Sequence, residues 1–185
     1  MDRVILGVDP GTNLMGWALL SVQASELQPL EIGVLELSKI KEPFEKLRRI
    51  FEEISLLITT YKPAELAIEA PFYGKNVQSM LKLGRAQGMA IAAALAHHMP
   101  VFEYAPRKVK LSITGRGAAS KEQVAAILQK TMPMVTAPVK WDATDALAVA
   151  VCHHYQSKSP LPVSSGPKSW ESFVAQNPKR VGKGV

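Results

Sequence analysis

Three short apolar runs near the start of the chain constrain the fold more than any other feature of the sequence. They cover residues 4–8, 17–22 and 32–37, and each has the length of a single strand. The turn residues Pro10 and Gly11 separate the first two runs. The connections are too short for the crossovers that parallel strands need. The sequence therefore predicts an antiparallel three-stranded meander.

The remaining elements alternate between helices and strands. Periodicity, capping residues and apolar runs predict, in chain order, a helix over 43–58, a strand over 66–68, a helix over 77–97, a strand over 101–104, and helices over 121–130 and 142–155. Mixed strands and helices of this kind predict an α/β domain around one central sheet, spanning residues 1–156. Residues 157–185 are rich in Pro, Ser and Lys and predict a disordered tail.

The charge is distributed unevenly along the chain. The net charge is +6, but residues 70–140 alone hold ten basic and two acidic side chains, a net +8. Such a block suits a polyanionic partner or a solvated basic surface, and charge alone leaves both open. The acidic start and short first apolar run do not resemble a signal peptide, so we expect a cytoplasmic protein without a membrane span. The single cysteine, Cys152, gives no basis for a disulfide or a zinc site.

Four carboxylates stand at the ends of buried elements. Asp9 and Glu69 each follow an apolar strand-like run, where α/β sheets commonly gather functional residues. Asp142 and Asp145 are three residues apart, which places them on one face of the last helix. Turn formation would also account for Asp9, and the helix dipole for one of the helical acids. Four oxygen ligands without a Cys/His cluster favour a hard cation such as Mg²⁺ over zinc.

A set of motifs then gives the chain a family resemblance over residues 3–155. GVDPGTNLMGWALL, AIEAPFYGKN, LKLGRAQG, PVFEYAPRKVK, GRGAASKEQV and DATDALAVAVCH occur in this order. Together they resemble RuvC, the bacterial Holliday-junction resolvase family. The resemblance implies a ribonuclease-H-like fold with a central five-stranded mixed sheet flanked by helices. It also implies a homodimer, and Mg²⁺-dependent cleavage of four-way DNA junctions by paired symmetric nicks that leave 5′-phosphate and 3′-hydroxyl ends.

The same resemblance assigns roles to individual residues. Asp9, Glu69, Asp142 and Asp145 match the family's metal-binding catalytic tetrad, expected to hold two Mg²⁺ ions, with Mn²⁺ as a substitute. Phe72 matches an aromatic residue that contacts bases, and Lys110 and Lys121 match lysines near the cleaved strand. The other basic residues expected at the DNA backbone, or else on a solvated face, are Lys75, Lys82, Arg85, Arg107 and Lys108. The family also implies a branch-migration motor partner of the RuvA and RuvB type.

Several readings of the residues remain open beside the resemblance. The opening G-x-D-x-G-T is shared with actin-like and Hsp70-like ATPases, but these need a duplicated domain that 185 residues do not accommodate. A non-catalytic nucleic-acid-binding module would not need four acids that repel DNA. A nuclease of the same fold acting on RNA or linear DNA is a further alternative. Gly84 and Gly88, four residues apart, predict close helix packing against the sheet or across a dimer interface.

Overall fold

The computed structural model describes residues 3–24, 26–71, 76–132 and 140–158. In chain order the elements are β1 (Arg3–Asp9), β2 (Leu14–Gln23), β3 (Glu26–Glu36), α1 (Pro43–Tyr61), β4 (Glu65–Glu69), α2 (Val77–Ala96), β5 (Val101–Tyr104), α3 (Pro106–Thr114), α4 (Lys121–Thr131) and α5 (Trp141–Lys158). Every predicted element is present. Within these ranges no helix is both long and apolar enough to cross a bilayer.

The five strands form one mixed sheet in the order β3-β2-β1-β4-β5. The first three strands pair as the predicted antiparallel meander, while β4 pairs with β1, and β5 with β4, in parallel. A sheet of this order, flanked by helices on both faces, is the ribonuclease-H-like arrangement that the resemblance implied. Because β1, β3 and β4 run in the same direction, their carboxyl ends all lie at one edge of the sheet.

Helices cover both faces of the sheet and bury two separate apolar clusters. On one face, α1 and α2 pack against Leu6, Val8 and Ile68. On the other face, α3, α4 and α5 pack against Ile5, Ala18 and Ala67. Neighbouring residues of β1 thus enter opposite clusters, as the two-residue period of a strand requires. This arrangement explains why β1 is apolar along nearly its whole length.

Three details differ from the sequence-based expectations. The strand β3 begins at Glu26 rather than at residue 32, because its first half is a polar edge segment that contains Pro29 and gives little apolar signal. The helix α3 was not predicted, since it has nine residues of which only Val109 is buried. The helix α5 continues to Lys158, into the first two positions of the predicted tail. The rest of that tail, residues 159–185, lies outside the described residues.

The glycines of α2 exclude one of their two predicted arrangements. Gly84 and Gly88 were expected to pack against the sheet or across a dimer interface, but both are exposed, and a β-carbon added at either would meet no atom within 4 Å, so neither packs against the sheet. The buried small residues of α2 are instead Ala86, Ala90, Ala93 and Ala94, which belong to the apolar cluster shared with α1 and the sheet. The cause is the angular position of the glycines, since residues four apart lie along one side of a helix and this side points outward.

Candidate active site at the sheet edge

Asp9 and Glu69 leave adjacent parallel strands at the same edge of the sheet. Each is the last residue of its strand, β1 and β4 respectively. Val8 is paired with Ile68 in the register, so the two carboxylates occupy the next position on neighbouring strands. Both side chains are partly buried. The structure therefore brings together two acids that are 60 residues apart in the sequence.

The helix α5 carries the other two acids to this edge by packing directly on the sheet backbone. A β-carbon at Gly16, the residue paired with Asp9, would lie 1.9 Å from the carbonyl oxygen of Asp142. A β-carbon at Gly7 would lie 2.2 Å from the carbonyl oxygen of Ala146. Only glycine permits such a close approach of two backbones. The first turns of α5, with Asp142 and Asp145, are thereby held beside Asp9.

The electrostatics of the site reflect this convergence. Burial, together with the negative charges of Glu69, Asp145 and Asp142, raises the pKa of Asp9 to about 8, although the charge of Lys121 acts to lower it. Burial, followed by the charge of Asp145, raises the pKa of Glu69 to about 7. Burial also raises the pKa of Asp145. The ionisation of Asp9, Glu69 and Asp145 is in each case opposed by the negative charge of at least one neighbouring acid, so the site favours the addition of positive charge.

Lys121, the first residue of α4, supplies part of that positive charge. Its Nζ forms an ion pair with Oδ2 of Asp145, whose side chain is only 16% exposed. Burial acts to lower the pKa of Lys121, but the hydrogen bond to Asp145 and the charges of Asp145, Asp9 and Asp142 outweigh it and raise the pKa. The capping box of Ser120 and Gln123 defines the start of α4 and hence the position of this lysine.

A pocket of about 780 Å³ opens beside the acids on the α3–α5 side of the sheet. Its charged lining residues are Glu69, Arg107, Lys110, Lys121 and Asp145. Arg107 and Lys110 come from α3, the helix that the sequence did not reveal. The pocket therefore places cationic side chains directly next to the carboxylates, an arrangement suited to a phosphate group.

Other predicted site residues lie elsewhere. Lys108 does not line the pocket, and its Nζ lies 5.4 Å from the centre of the Tyr104 ring. Phe72 and Lys75 fall outside the described residues. Lys82 and Arg85 line a different groove, on the α1–α2 side of the sheet.

Gln87 is a residue of the site that the sequence did not single out. It is buried on α2, and its Nε2 donates hydrogen bonds to the carbonyl oxygen of Glu69 at 3.3 Å and to Oε2 of Glu103 at 3.0 Å. These bonds fasten α2 to the ends of β4 and β5. The sequence offered one signal for Gln87, a long amide side chain among the alanines of the buried face of α2. A buried amide requires hydrogen-bond partners, so its presence there points to a polar contact.

The donor set is suited to a hard divalent cation. All four converging acids offer oxygen ligands, and the raised pKa values of Asp9 and Glu69 indicate a site that gains from a cation. As they stand, no three acidic, histidine or cysteine side chains of the described residues are close enough together to ligate one ion. Rotation of the carboxylates, with release of Asp145 from Lys121, would be needed to form a complete ligand set.

The chain is similar to known proteins over nearly its whole length. The family model described as crossover junction endodeoxyribonuclease RuvC matches residues 5–153. Crossover junction endodeoxyribonuclease RuvC of Cytophaga hutchinsonii is 56% identical over 98% of this chain and 89% of its own length. The protein of the same name from Bacteroides fragilis is 50% identical over 97% of this chain and 96% of its own.

A solved structure extends the similarity to three dimensions. The structure of T. thermophilus RuvC in complex with Holliday junction substrate superposes with a TM-score of 0.78 at 28% identity. It covers 84% of this chain and 94% of that one. Sequence and fold therefore agree over almost all of the described residues.

Proposed function

This chain belongs to the RuvC family of crossover junction endodeoxyribonucleases, and we propose that it resolves four-way DNA junctions by metal-dependent hydrolysis. The observation that carries the proposal is the convergence of Asp9, Glu69, Asp142 and Asp145 at one sheet edge, beside a pocket lined by Arg107, Lys110 and Lys121. The acids suit a hard cation and the bases suit a phosphate. Together they are typical of a site that cleaves a phosphodiester bond.

In the proposed mechanism the four acids hold the metal and the basic residues hold the DNA strand. A divalent cation held by these carboxylates would offset the charge of the scissile phosphate and supply a more acidic water for the attack. Lys110 and Lys121 then orient the phosphate as point charges, and Arg107 offers a planar group suited to two phosphate oxygens. In-line attack with departure of the 3′ oxygen leaves a 5′-phosphate and a 3′-hydroxyl. We propose two Mg²⁺ ions for this role, replaceable by Mn²⁺.

The ion pair between Lys121 and Asp145 has a place in this scheme. In the structure the lysine partly offsets the charge of the acids. Asp145 would be one of the residues that hold the cation, and Lys121 lines the pocket from which its ammonium group can contact the phosphate. Phe72 remains a proposed contact to bases at the junction centre, and Lys75 and Lys108 remain proposed backbone contacts.

We further propose that the active enzyme is a homodimer that makes one nick with each subunit. The exposed side of α2 supports this, because Val77, Leu81 and Leu95 are 63%, 54% and 59% exposed, and Gly84 and Gly88 lie in the same stripe. An apolar helix face with small residues in it allows close packing against a second copy. A two-fold dimer presents two sites to a two-fold junction and so produces paired symmetric cuts.

The cellular setting follows from the substrate. We place the protein in the cytoplasm, where bacterial DNA is found, in recombination and repair. The family resemblance implies a branch-migration motor of the RuvA and RuvB type, and we propose that this protein acts together with such a motor.

The decisive experiment is incubation of the protein with a labelled mobile four-way junction and Mg²⁺. Symmetric nicks that DNA ligase can seal are expected. Asp9→Asn and Glu69→Gln should lower the cleavage rate by at least about 10³-fold while junction binding persists, because the basic pocket is retained. Glu26→Gln, at the opposite sheet edge, removes one charge away from the site and should cleave normally.

Two results would contradict the proposal. One is cleavage by Asp9→Asn at the wild-type rate. The other is a wild-type protein that cuts RNA or linear duplex in preference to the junction, which would favour a nuclease of the same fold with a different substrate.

A further inference from the structure

A second basic groove lies on the α1–α2 side of the sheet, and the proposed cleavage reaction does not use it. The groove encloses about 410 Å³. Its walls come from the turn between β1 and β2, the loop before α1, and the first turns of α1 and α2. Among the residues that the structure describes, its charged lining residues are Lys41, Lys46, Lys82 and Arg85, and none of the lining residues is acidic.

The groove flanks the same sheet edge as the catalytic acids. Thr12, one of its lining residues, is only three residues beyond Asp9, so their Cα atoms are at most about 11 Å apart. Lys46 is tied to this turn, because its Nζ donates a hydrogen bond to the carbonyl oxygen of Thr12 at 2.9 Å. The pocket with Lys110 and Lys121 lies on the other face of the sheet. The acids are therefore bordered by cationic side chains on both sides.

The cations of the groove are available to an anion. Within residues 3–24, 26–71, 76–132 and 140–158, none of Lys41, Lys82 and Arg85 has a carboxylate ion-pair partner. The two acids at the start of α1 are engaged elsewhere. Glu42 accepts a hydrogen bond from the backbone N–H of Glu45, and the carboxylate of Glu45 pairs with Arg48.

Two further features favour a phosphate-bearing ligand over a simple anion. The N-terminal halves of α1 and α2 line the groove, so the positive ends of two helix dipoles lie beside it. Phe44, in the first turn of α1, is 71% exposed and lines the groove. Basic side chains with an exposed aromatic ring among them are typical of surfaces that bind nucleic acid.

We propose that this groove binds the sugar–phosphate backbone of one DNA arm of the junction, so that the DNA is held on both sides of the catalytic edge. This inference rests on the proposed function. A second copy of the chain fits the groove less well, because four cations without intervening acids would be buried. The apolar stripe of α2 also faces another direction, since Lys82 follows Leu81 by about 100° around the helix.

The test compares two variants of equal net charge for their salt-dependent binding to a synthetic four-way junction, measured in EDTA to prevent cleavage. Lys41→Gln/Lys82→Gln removes two groove cations. Lys62→Gln/Lys130→Gln is the matched control, with Lys62 at the far end of α1, about 27 Å from Pro43.

Log affinity falls linearly with log salt concentration, and each lost phosphate contact makes this line less steep by about 0.9. The slope of the groove variant should therefore be smaller in magnitude than that of the wild type by about 1.8. Raising the salt from 50 to 200 mM would then weaken wild-type binding about 12-fold more than it weakens binding by the variant. The control variant should keep the wild-type slope. Phe44→Ala should bind more weakly with an unchanged slope, because an apolar contact releases no counterion.

The outcomes separate this inference from the proposed function. A groove variant with the slope of the control overturns the groove as a DNA site, while wild-type binding and cleavage leave the resolvase proposal intact. A wild-type protein that does not bind the junction overturns the proposed function itself. A groove variant that sediments as a monomer where the wild type is a dimer assigns the groove to a protein interface and overturns binding of a DNA arm.

Discussion

Gly16→Ala provides a stringent test of how the active site is assembled. Gly16 contributes no side chain to the site, yet a β-carbon there would lie 1.9 Å from the carbonyl oxygen and 2.3 Å from the carbonyl carbon of Asp142. The oxygen must retreat by at least about 1.1 Å to reach the closest separation that real β-carbons show. Since the obstacle is helix backbone rather than a flexible side chain, the first turn of α5 must move with Asp142.

Two magnitudes follow from that displacement. Overpacking of this kind costs about 1–3 kcal/mol of unfolding free energy. A misplacement of about 1 Å in a catalytic group costs about 100-fold in rate. We therefore expect Gly16→Ala to remain folded, to bind the junction, and to cleave it about 100-fold more slowly. Single-turnover cleavage at saturating protein measures the rate, and urea denaturation measures the stability.

Gly33→Ala serves as the matched control. A β-carbon at Gly33 would also be too close to a neighbour, 2.4 Å from a ring carbon of Trp17. That contact belongs to the α1–α2 side of the sheet and does not involve α5. We expect a similar loss of stability without the loss of cleavage. If folded Gly16→Ala cleaves at the wild-type rate, the close packing of α5 on the sheet does not position Asp142.

Two further predictions concern assembly and stability. Leu81→Glu places a charge in the exposed apolar stripe of α2 and should raise the dissociation constant of the dimer at least about tenfold in sedimentation experiments. Leu56→Glu, on the exposed side of α1, should leave that constant unchanged. A Leu81→Glu dimer as stable as the wild-type dimer would refute this interface. Burial lowers the pKa of His153, whose ring contacts Oε2 of Glu65 at 2.6 Å and the Tyr104 hydroxyl at 2.7 Å. The unfolded chain therefore takes up a proton near pH 6.5 that the folded protein does not, so His153 contributes a fall in unfolding free energy as the pH drops below 6.5. The raised pKa values of Asp9 and Glu69 contribute a rise over the same range, so the His153 contribution is measured as a difference between variants. By urea denaturation, the unfolding free energy of His153→Gln should gain on that of the wild type between pH 7.5 and 5.5, and a constant difference between the two would show that His153 does not titrate as argued.

Much of the site could be predicted because its residues are marked by local patterns. Asp9 and Glu69 end apolar strands, and Asp142 and Asp145 share a helix face, so short windows of sequence mark them as candidates. The antiparallel meander was also predictable, since connection length alone excludes parallel pairing there. The motifs around these acids supplied the family, the fold and the expected chemistry.

Other features depend on contacts between distant segments, and local patterns do not contain them. The helix α3 has one buried residue, so its periodicity is weak, yet it supplies Arg107 and Lys110 to the pocket. The outward direction of Gly84 and Gly88 depends on which side of α2 faces the sheet. The hydrogen bonds from Gln87 to Glu69 and Glu103 likewise join three elements that are separated in sequence.

Local sequence is enough to mark four carboxylates as candidates, because a charged group next to an apolar run is costly unless it has a partner or a task. Their convergence depends on how distant parts of the chain pack together. Parallel pairing of β1 with β4 sets Asp9 beside Glu69, and the bare backbone at Gly7 and Gly16 allows α5 to approach closely enough to add Asp142 and Asp145. These contacts join segments up to about 140 residues apart in the sequence. They stabilise the site only after the sheet and the helix have packed together, so no local stretch of sequence encodes them.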